Sequence, residues 1–202
     1  MRRTEHKCGD ITEFETISSS ADVGYLGLLT TDGYPRVIPV NFATEGETVY
    51  FHGAIEGEKY DLLKESPKVT FSMNLVYSYI PSYWTSKKSA GTATMFYKSA
   101  LIKGRGSIVT DEQEKAFALN LLMKKHQPEG GYQPITADDP LYEHIFKATA
   151  IFRIDADQID IKINFRKKKS REYNLGLIKN LENRGMGRDL ATAAEIRKIL
   201  ED

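Results

Sequence analysis

Val23-Gly-Tyr-Leu-Gly-Leu-Leu-Thr-Thr-Asp-Gly-Tyr-Pro-Arg-Val-Ile-Pro-Val-Asn-Phe42 is the stretch that decides the fold. Val23 to Thr30 sets two glycines among apolar residues, which disfavours a helix and reads as a strand. Thr31 to Pro35 turns the chain, and Asp32-Gly33 supplies the positive φ angles of a tight hairpin. Arg36 to Phe42 is the return strand. A second turn at Glu45-Gly46-Glu47 leads into a third strand, Thr48 to His52.

The same reading extends outward in both directions. Upstream, Asp10-Ile-Thr-Glu13 is a capped helix start, with Ile11, Phe14 and Ile17 spaced to share one docking face. Downstream, residues from about Gly57 to Glu65 are helical and Pro67 ends them. Lys68 to Asn74 alternates and forms a strand. Residues 78–95 are a polar, Ser/Thr-rich loop holding the sole tryptophan, Trp84, and a long loop in a compact domain points to function.

Phe96 to Val109 is a long strand in which Gly104 and Gly106 mark a bulge or a barrel bend. Thr110-Asp-Glu-Gln113 is a second capping box, opening a helix that turns Phe117, Leu121 and Leu122 inward. Pro128 to Pro134 is a loop, Pro140 begins a helix through about Phe146, and Ala148 to Phe165 supplies one or two strands. From Glu172 the pattern is helical, broken at Gly185-Met-Gly187 into two terminal helices. Hairpin-linked strands with helices between them indicate an α+β, mainly antiparallel β-barrel, not a doubly wound parallel sheet. The expected division is a barrel domain over residues 1–165, with 166–202 as a C-terminal helical extension packed on it.

Composition narrows the function classes. The 202 residues suit one domain, and such a length buries roughly 70% of the surface its unfolded chain exposes, so no metal or disulfide staple is required. Lys+Arg and Asp+Glu number 28 each, and zero net charge gives no general affinity for nucleic acid. The charge is uneven: 161–202 holds 11 basic and 6 acidic residues, an excess of +5 balanced by the rest of the chain. The basic run Arg166 to Arg171 reads as a solvated face. One cysteine, Cys8, excludes an internal disulfide and any multi-cysteine metal site. MRRTEHKCGD lacks the apolar core of a signal peptide, and no run of 18 apolar residues occurs, so a reducing cytoplasm is the expected compartment.

No GxGxxG, P-loop or GxSxG motif occurs, and His6, His52, His126 and His144 show no metal-ligand spacing. What stands out is an anion site spread over several elements. In Tyr50-Phe-His-Gly-Ala-Ile-Glu-Gly-Glu-Lys59 a strand ends at His52, glycines permit close backbone approach, and a helix begins near Gly57. Free N–H groups at that start favour an anion, and a lysine in the first helical turn makes sense beside one. Pro39 removes a ladder donor, making its strand an edge or leaving its backbone to a ligand. Arg36 on that strand, with Lys98 and Ser99 on the long strand, adds the cations and hydroxyl that a phosphate monoester requires.

Asp32 to Phe42, Tyr50 to Ala54 and Gly57-Glu-Lys59 together resemble the nitroimidazole-resistance branch of the pyridoxamine 5′-phosphate oxidase-like family. The likeness continues through Tyr97 to Arg105, Pro128 to Tyr132 and Leu181 to Asp189, covering most of the chain. It implies an FMN-binding split β-barrel and a homodimer with the flavin in a cleft between subunits. By position Arg36 and Lys59 match the phosphate ligands, and Val37, Pro39 and Asn41 lie along the isoalloxazine edge. Phe51 and His52 match residues beside the ring, Ser99 matches a polar flavin contact, and Lys98 is the next cation for the phosphate. Two features depart from true pyridoxamine-phosphate oxidases: Glu58 stands where they have arginine, and their Arg-rich terminal signature is missing. A Gly-Lys stretch common in related proteins is replaced by Asp160 to Lys169, where Lys162 is the residue in position to keep its role.

Three functions follow as expectations. The first is a flavin oxidoreductase passing electrons from a nicotinamide donor to a small electrophile, with a nitroaromatic as one case and His52 orienting substrate or donating a proton. The second is a haem-binding or haem-degrading protein with His52 or His126 as axial ligand. The third is a flavin-binding module without turnover.

Overall fold

The computed structural model describes residues 7–8, 11–65, 67–165 and 169–201, with the backbone alone for 7–8. The Asp10 cap and positions 166–168 of the basic run lie outside the described residues. In chain order the elements are β1 (Lys7–Cys8), α1 (Ile11–Ser20), β2 (Val23–Leu29), β3 (Pro35–Glu45), β4 (Thr48–Ala54), α2 (Glu58–Lys64) and β5 (Lys68–Ile80). There follow β6 (Thr94–Ile108), α3 (Glu112–His126), α4 (Glu143–Ala148), β7 (Thr149–Asn164), α5 (Arg171–Arg184) and α6 (Asp189–Glu201). The strands run in the order β1-β7-β4-β3-β2-β5-β6, and a further β7–β6 pairing closes the ring. This is an α+β split β-barrel. The contacts divide it into one unit of residues 11–73 and 100–160 and another of 7–8, 74–99 and 161–201.

In the first unit the opening hairpin forms as its turn chemistry dictates. Gly33 takes φ 86°, and β2 pairs with β3 from Leu29↔Pro35 to Val23↔Asn41. That register puts odd-numbered residues of both strands on one face and sends Leu26, Leu28, Val40 and Phe42 to the core. Phe42 meets Phe71 edge-on at 5.1 Å, and Phe51 stacks on Phe152 at 5.1 Å, so four aromatic rings occupy the centre. Gly104 and Gly106 turn out to serve close packing. A Cβ at 104 would collide with the carbonyl oxygen of Asp155 on β7, and one at 106 would meet the Leu63 side chain at 2.5 Å.

Several local expectations shift. Phe14 and Ile17 are buried but Ile11 is 46% exposed, because only two positions of that face meet the sheet. The cap of α3 is Asp111, whose carboxylate accepts from the Glu114 N–H at 2.8 Å, so Thr110 lies one residue outside it. Leu122 is inward and Leu121 half-buried, whereas Phe117 is exposed and sets its edge against the ring of Tyr50 at 6.0 Å. The helix following Pro140 begins three residues later, at Glu143.

The second unit holds the later half of β5, the start of β6, the end of β7 and the terminal helices. Phe165 lies between Tyr77 and Phe96, with centroids at 4.8 and 4.9 Å. The polar stretch is shorter than expected, since β5 continues to Ile80 and β6 starts at Thr94, leaving two 3-10 turns between. Trp84 lies under the Arg184 guanidinium at 4.6 Å, and Arg184 also donates to the Tyr79 carbonyl at 2.9 Å. Gly185, at φ 57°, ends α5 in the left-handed conformation expected of a helix C-terminus.

A buried polar cluster ties this unit together. Asp189 accepts from both Arg184 Nε and Nη2 at 2.7 Å, from Ser78 at 2.5 Å and from the Met186 N–H at 3.0 Å. Hydrogen bonds from Arg184 foremost, with those from Ser78 and Met186, hold its carboxyl down at about 2. Among the described residues no helix is long and apolar enough to cross a membrane.

Candidate functional site

The site grows from the point where β3 changes partners. Residues 35–41 pair with β2, and β3 pairs with β4 only from Phe42↔Phe51 to Glu45↔Thr48. Pro39 lies inside the unshared stretch, where its missing N–H leaves no gap in a ladder with β4. Arg36, Val37, Pro39 and Asn41 are all exposed along it. Asn41 donates to the Asp22 carbonyl at 3.4 Å.

β4 and α2 bring the other half. Gly57, at φ 94°, caps α2 without a side-chain hydrogen bond, and α2 spans seven residues. So short a helix has a weak macrodipole, which shifts the anion argument from its free N–H groups to its side chains. Lys59 runs back over Gly53, where a Cβ would overlap its ammonium, so the Phe-His-Gly-Ala glycine serves that lysine. The Nζ lies 5.7 Å from the Phe51 ring and 5.2 Å from the Phe152 ring. Desolvation pulls the Lys59 ammonium below the usual lysine range, and no carboxylate among the described residues pairs with it.

Arg36 is placed differently. Its Nε and Nη2 both lie 2.5 Å from Oε2 of Glu58, the residue next to Lys59, with both side chains about half exposed (54% and 45%). Phe51 is fully buried with its ring in the aromatic core, so it meets the site from beneath, through the ring that faces the Lys59 ammonium. His52 is exposed; desolvation first, then Lys59 and His126, push its imidazole below the usual histidine range and favour the neutral ring. The Nε2 of His126 lies 3.1 Å from the Phe42 carbonyl oxygen, which commits that nitrogen as a donor.

Arg36 and Lys59 therefore share one neighbourhood, through Glu58 and Gly53, with His52 near enough to feel the Lys59 charge, whereas the alternation of β3 puts Val37, Pro39 and Asn41 on the face opposite Arg36. Lys98 and Ser99 belong to the other unit. There Lys98 is buried and paired with Glu195 of α6 at 2.6 Å, an arrangement that explains why a lysine is tolerated in a strand interior. Lys162, also in that unit, sits over the Tyr97 ring at 5.1 Å. Sequence reasoning missed Phe152 as a platform for Lys59 and Glu58 as the partner of Arg36; the identity of Glu58 was visible but its reach to a residue 22 positions away was not. A groove of about 570 Å³ borders the site, lined in part by Gly27, Leu29, Arg36, Val37, Thr70 and Lys103. Among the described residues no group of three or more His, Cys, Asp or Glu side chains could hold a metal ion.

The family model described as pyridoxamine 5′-phosphate oxidase matches residues 11–163. Among solved structures, a candidate 5-nitroimidazole antibiotic resistance protein from Bacteroides thetaiotaomicron is similar at 23% identity and TM-score 0.62, over 78% of this chain and 86% of that one. The flavocytochrome Anf3 from Azotobacter vinelandii is similar at 21% identity and TM-score 0.68, over 81% and 72%. The FAD and heme binding protein from Mycobacterium smegmatis aligns at 16% identity and TM-score 0.65, over 79% and 73%. These likenesses concern the fold. No curated protein matches the sequence.

Proposed function

This chain belongs to the pyridoxamine 5′-phosphate oxidase family, and on that premise we propose that it binds FMN and acts as an oxidoreductase, passing electrons from a nicotinamide donor to a small electrophile such as a nitroaromatic. The observation that carries the reading is the half-buried Lys59 ammonium, which no carboxylate among the described residues neutralises. A cation kept partly out of water without a counter-ion is unfavourable, and a phosphate removes that deficit. Flavin- and haem-binding proteins with this fold add support.

The bound flavin supplies hydride and electron transfer, while the protein orients it and sets its electrostatics. Lys59 holds the phosphate, with Arg36 as second contact once it turns from Glu58. Val37, Pro39 and Asn41 line the ring, and the unshared stretch of β3 offers its backbone groups. His52, held neutral, positions a substrate or exchanges a proton with it. Glu58 in place of arginine turns the reading away from pyridoxamine-phosphate oxidation.

The reading includes a symmetric homodimer with the flavin in a cleft between subunits. Val23, Tyr25, Leu29 and Val37, on one face of β2 and β3, are 36%, 43%, 68% and 63% exposed, an apolar strand face of the kind a second subunit covers. Light scattering should give a dimer at micromolar concentration; a flavin-loaded monomer would refute this part.

The test of the whole is the visible spectrum of protein purified without added cofactor, followed by stopped-flow reduction and reoxidation. We expect an oxidised-flavin spectrum, bleaching by a nicotinamide donor, and reoxidation by a nitroaromatic faster than by oxygen alone. Reoxidation no faster than with oxygen would make the protein a binding module. A Soret band lost on replacing His52 or His126 would establish the haem reading instead.

A further inference from the structure

We propose that Glu58 is a built-in competitor for Arg36, a carboxylate that occupies the guanidinium in the free protein and so limits how strongly the site prefers phosphorylated flavin to riboflavin. The inference rests on the flavin reading above and concerns what sets its selectivity. Both Arg36 Nε and Nη2 address one oxygen, Oε2 of Glu58, at 2.5 Å. The guanidinium therefore already spends two donors on an anion of the same chain. Lys59, the next residue, has no such partner among the described residues.

The charges then decide. Arg36 and Lys59 bring two positive charges and Glu58 removes one, so these three side chains together present +1. A phosphate monoester is close to dianionic at neutral pH, whereas each phosphorus of a diphosphate ester carries a single charge. FMN must displace Glu58 from Arg36 and then tolerate the released carboxylate nearby. Displacement is feasible, because the pair is about half exposed and such pairs are weak. The carboxylate does not go far, since Glu58 is the first residue of α2 and the neighbour of Lys59. Riboflavin has no phosphate and meets none of this, and FAD meets less of it than FMN.

Glu58→Gln removes the charge and preserves the size. Fluorescence titration of wild type and variant with riboflavin, FMN and FAD reads the effect directly. We expect FMN to bind up to about fivefold more tightly in the variant, because Arg36 no longer has to leave an exposed ion pair before it meets the phosphate. Riboflavin affinity should stay unchanged and FAD should gain less than FMN. Most of the gain should vanish when Arg36→Ala is added, leaving only the relief of repulsion between Glu58 and the phosphate, and that remainder should shrink as salt is raised. The unliganded variant should melt where wild type does, since the pair is exposed.

An unchanged ratio of FMN to riboflavin affinity would overturn the inference while leaving the flavin reading intact. A loss of FMN selectivity would also overturn it, because Glu58 would then be positioning Arg36 for the phosphate. Failure of wild type to bind any of the three flavins would refute the flavin reading itself, and this inference with it.

Discussion

Replacing Lys59 by alanine separates what this residue does for the fold from what it does for a ligand. In the free protein its ammonium is half-buried, sits over two aromatic rings and has no carboxylate beside it among the described residues. The two ring contacts contribute about 0.5–1 kcal/mol each. Against that stands the desolvation that lowers its pKa. A lysine with a folded pKa below its unfolded value weakens the fold while both states are protonated, and that penalty is relieved as pH rises toward the unfolded pKa. The two effects oppose each other, so the melting temperature should move little. Binding is another matter. A charge-assisted hydrogen bond to phosphate contributes about 1.5–3 kcal/mol, which corresponds to a roughly 10- to 150-fold rise in the FMN dissociation constant. Riboflavin should lose almost nothing. In wild type the preference for FMN should itself decline at a pH below the ordinary lysine range, as the depressed ammonium deprotonates. Flavin fluorescence titration at several pH values measures all of this. Equal losses for FMN and riboflavin would mean general disruption, and no loss for either would place the phosphate elsewhere.

Two further perturbations test the frame around the site. Gly104→Ala forces a Cβ onto the Asp155 carbonyl, a backbone obstacle that cannot swing aside; we expect a loss of about 2 kcal/mol or more in urea unfolding, and a neutral result would refute the close β6–β7 approach. Asp189→Asn breaks a buried pair with Arg184 and should cost about 3–5 kcal/mol, visible as a lowered melting temperature. The wild-type carboxyl, at about 2 when folded against 3.8 as its reference, contributes stability present above 3.8 and lost as pH falls toward 2. That contribution is on the order of 2 kcal/mol, so the difference between wild type and Asp189→Asn should narrow on acidification across that range, and a constant difference would count against the mechanism.

What could be read from residues alone was whatever depends on near neighbours. Asp32-Gly33 between two alternating apolar runs specifies a hairpin, and the hairpin with its register follows, down to the exposure of Val37 and the burial of Phe42. The packing of Lys59 against Gly53 is local in the same way, since glycine, helix start and lysine lie within a few residues of each other. Gly104 and Gly106 show the limit: a glycine announces that a side chain is forbidden but not what forbids it, and here the obstacles lie on β7 and α2. Arg36 shows it more sharply. Its type and strand position suit a phosphate ligand, yet whether its guanidinium is free depends on a carboxylate 22 residues away that the return of β4 and α2 brings within 2.5 Å. Lys98 follows the same logic, appearing as an available cation in a strand until α6 supplies Glu195. The residue types that can bind an anion are local information, but the charge left over to bind it is a property of register and packing. Of the cations proposed for the phosphate, Lys59 alone lacks a carboxylate partner among the described residues, and it is therefore the one on which the function should be tested first.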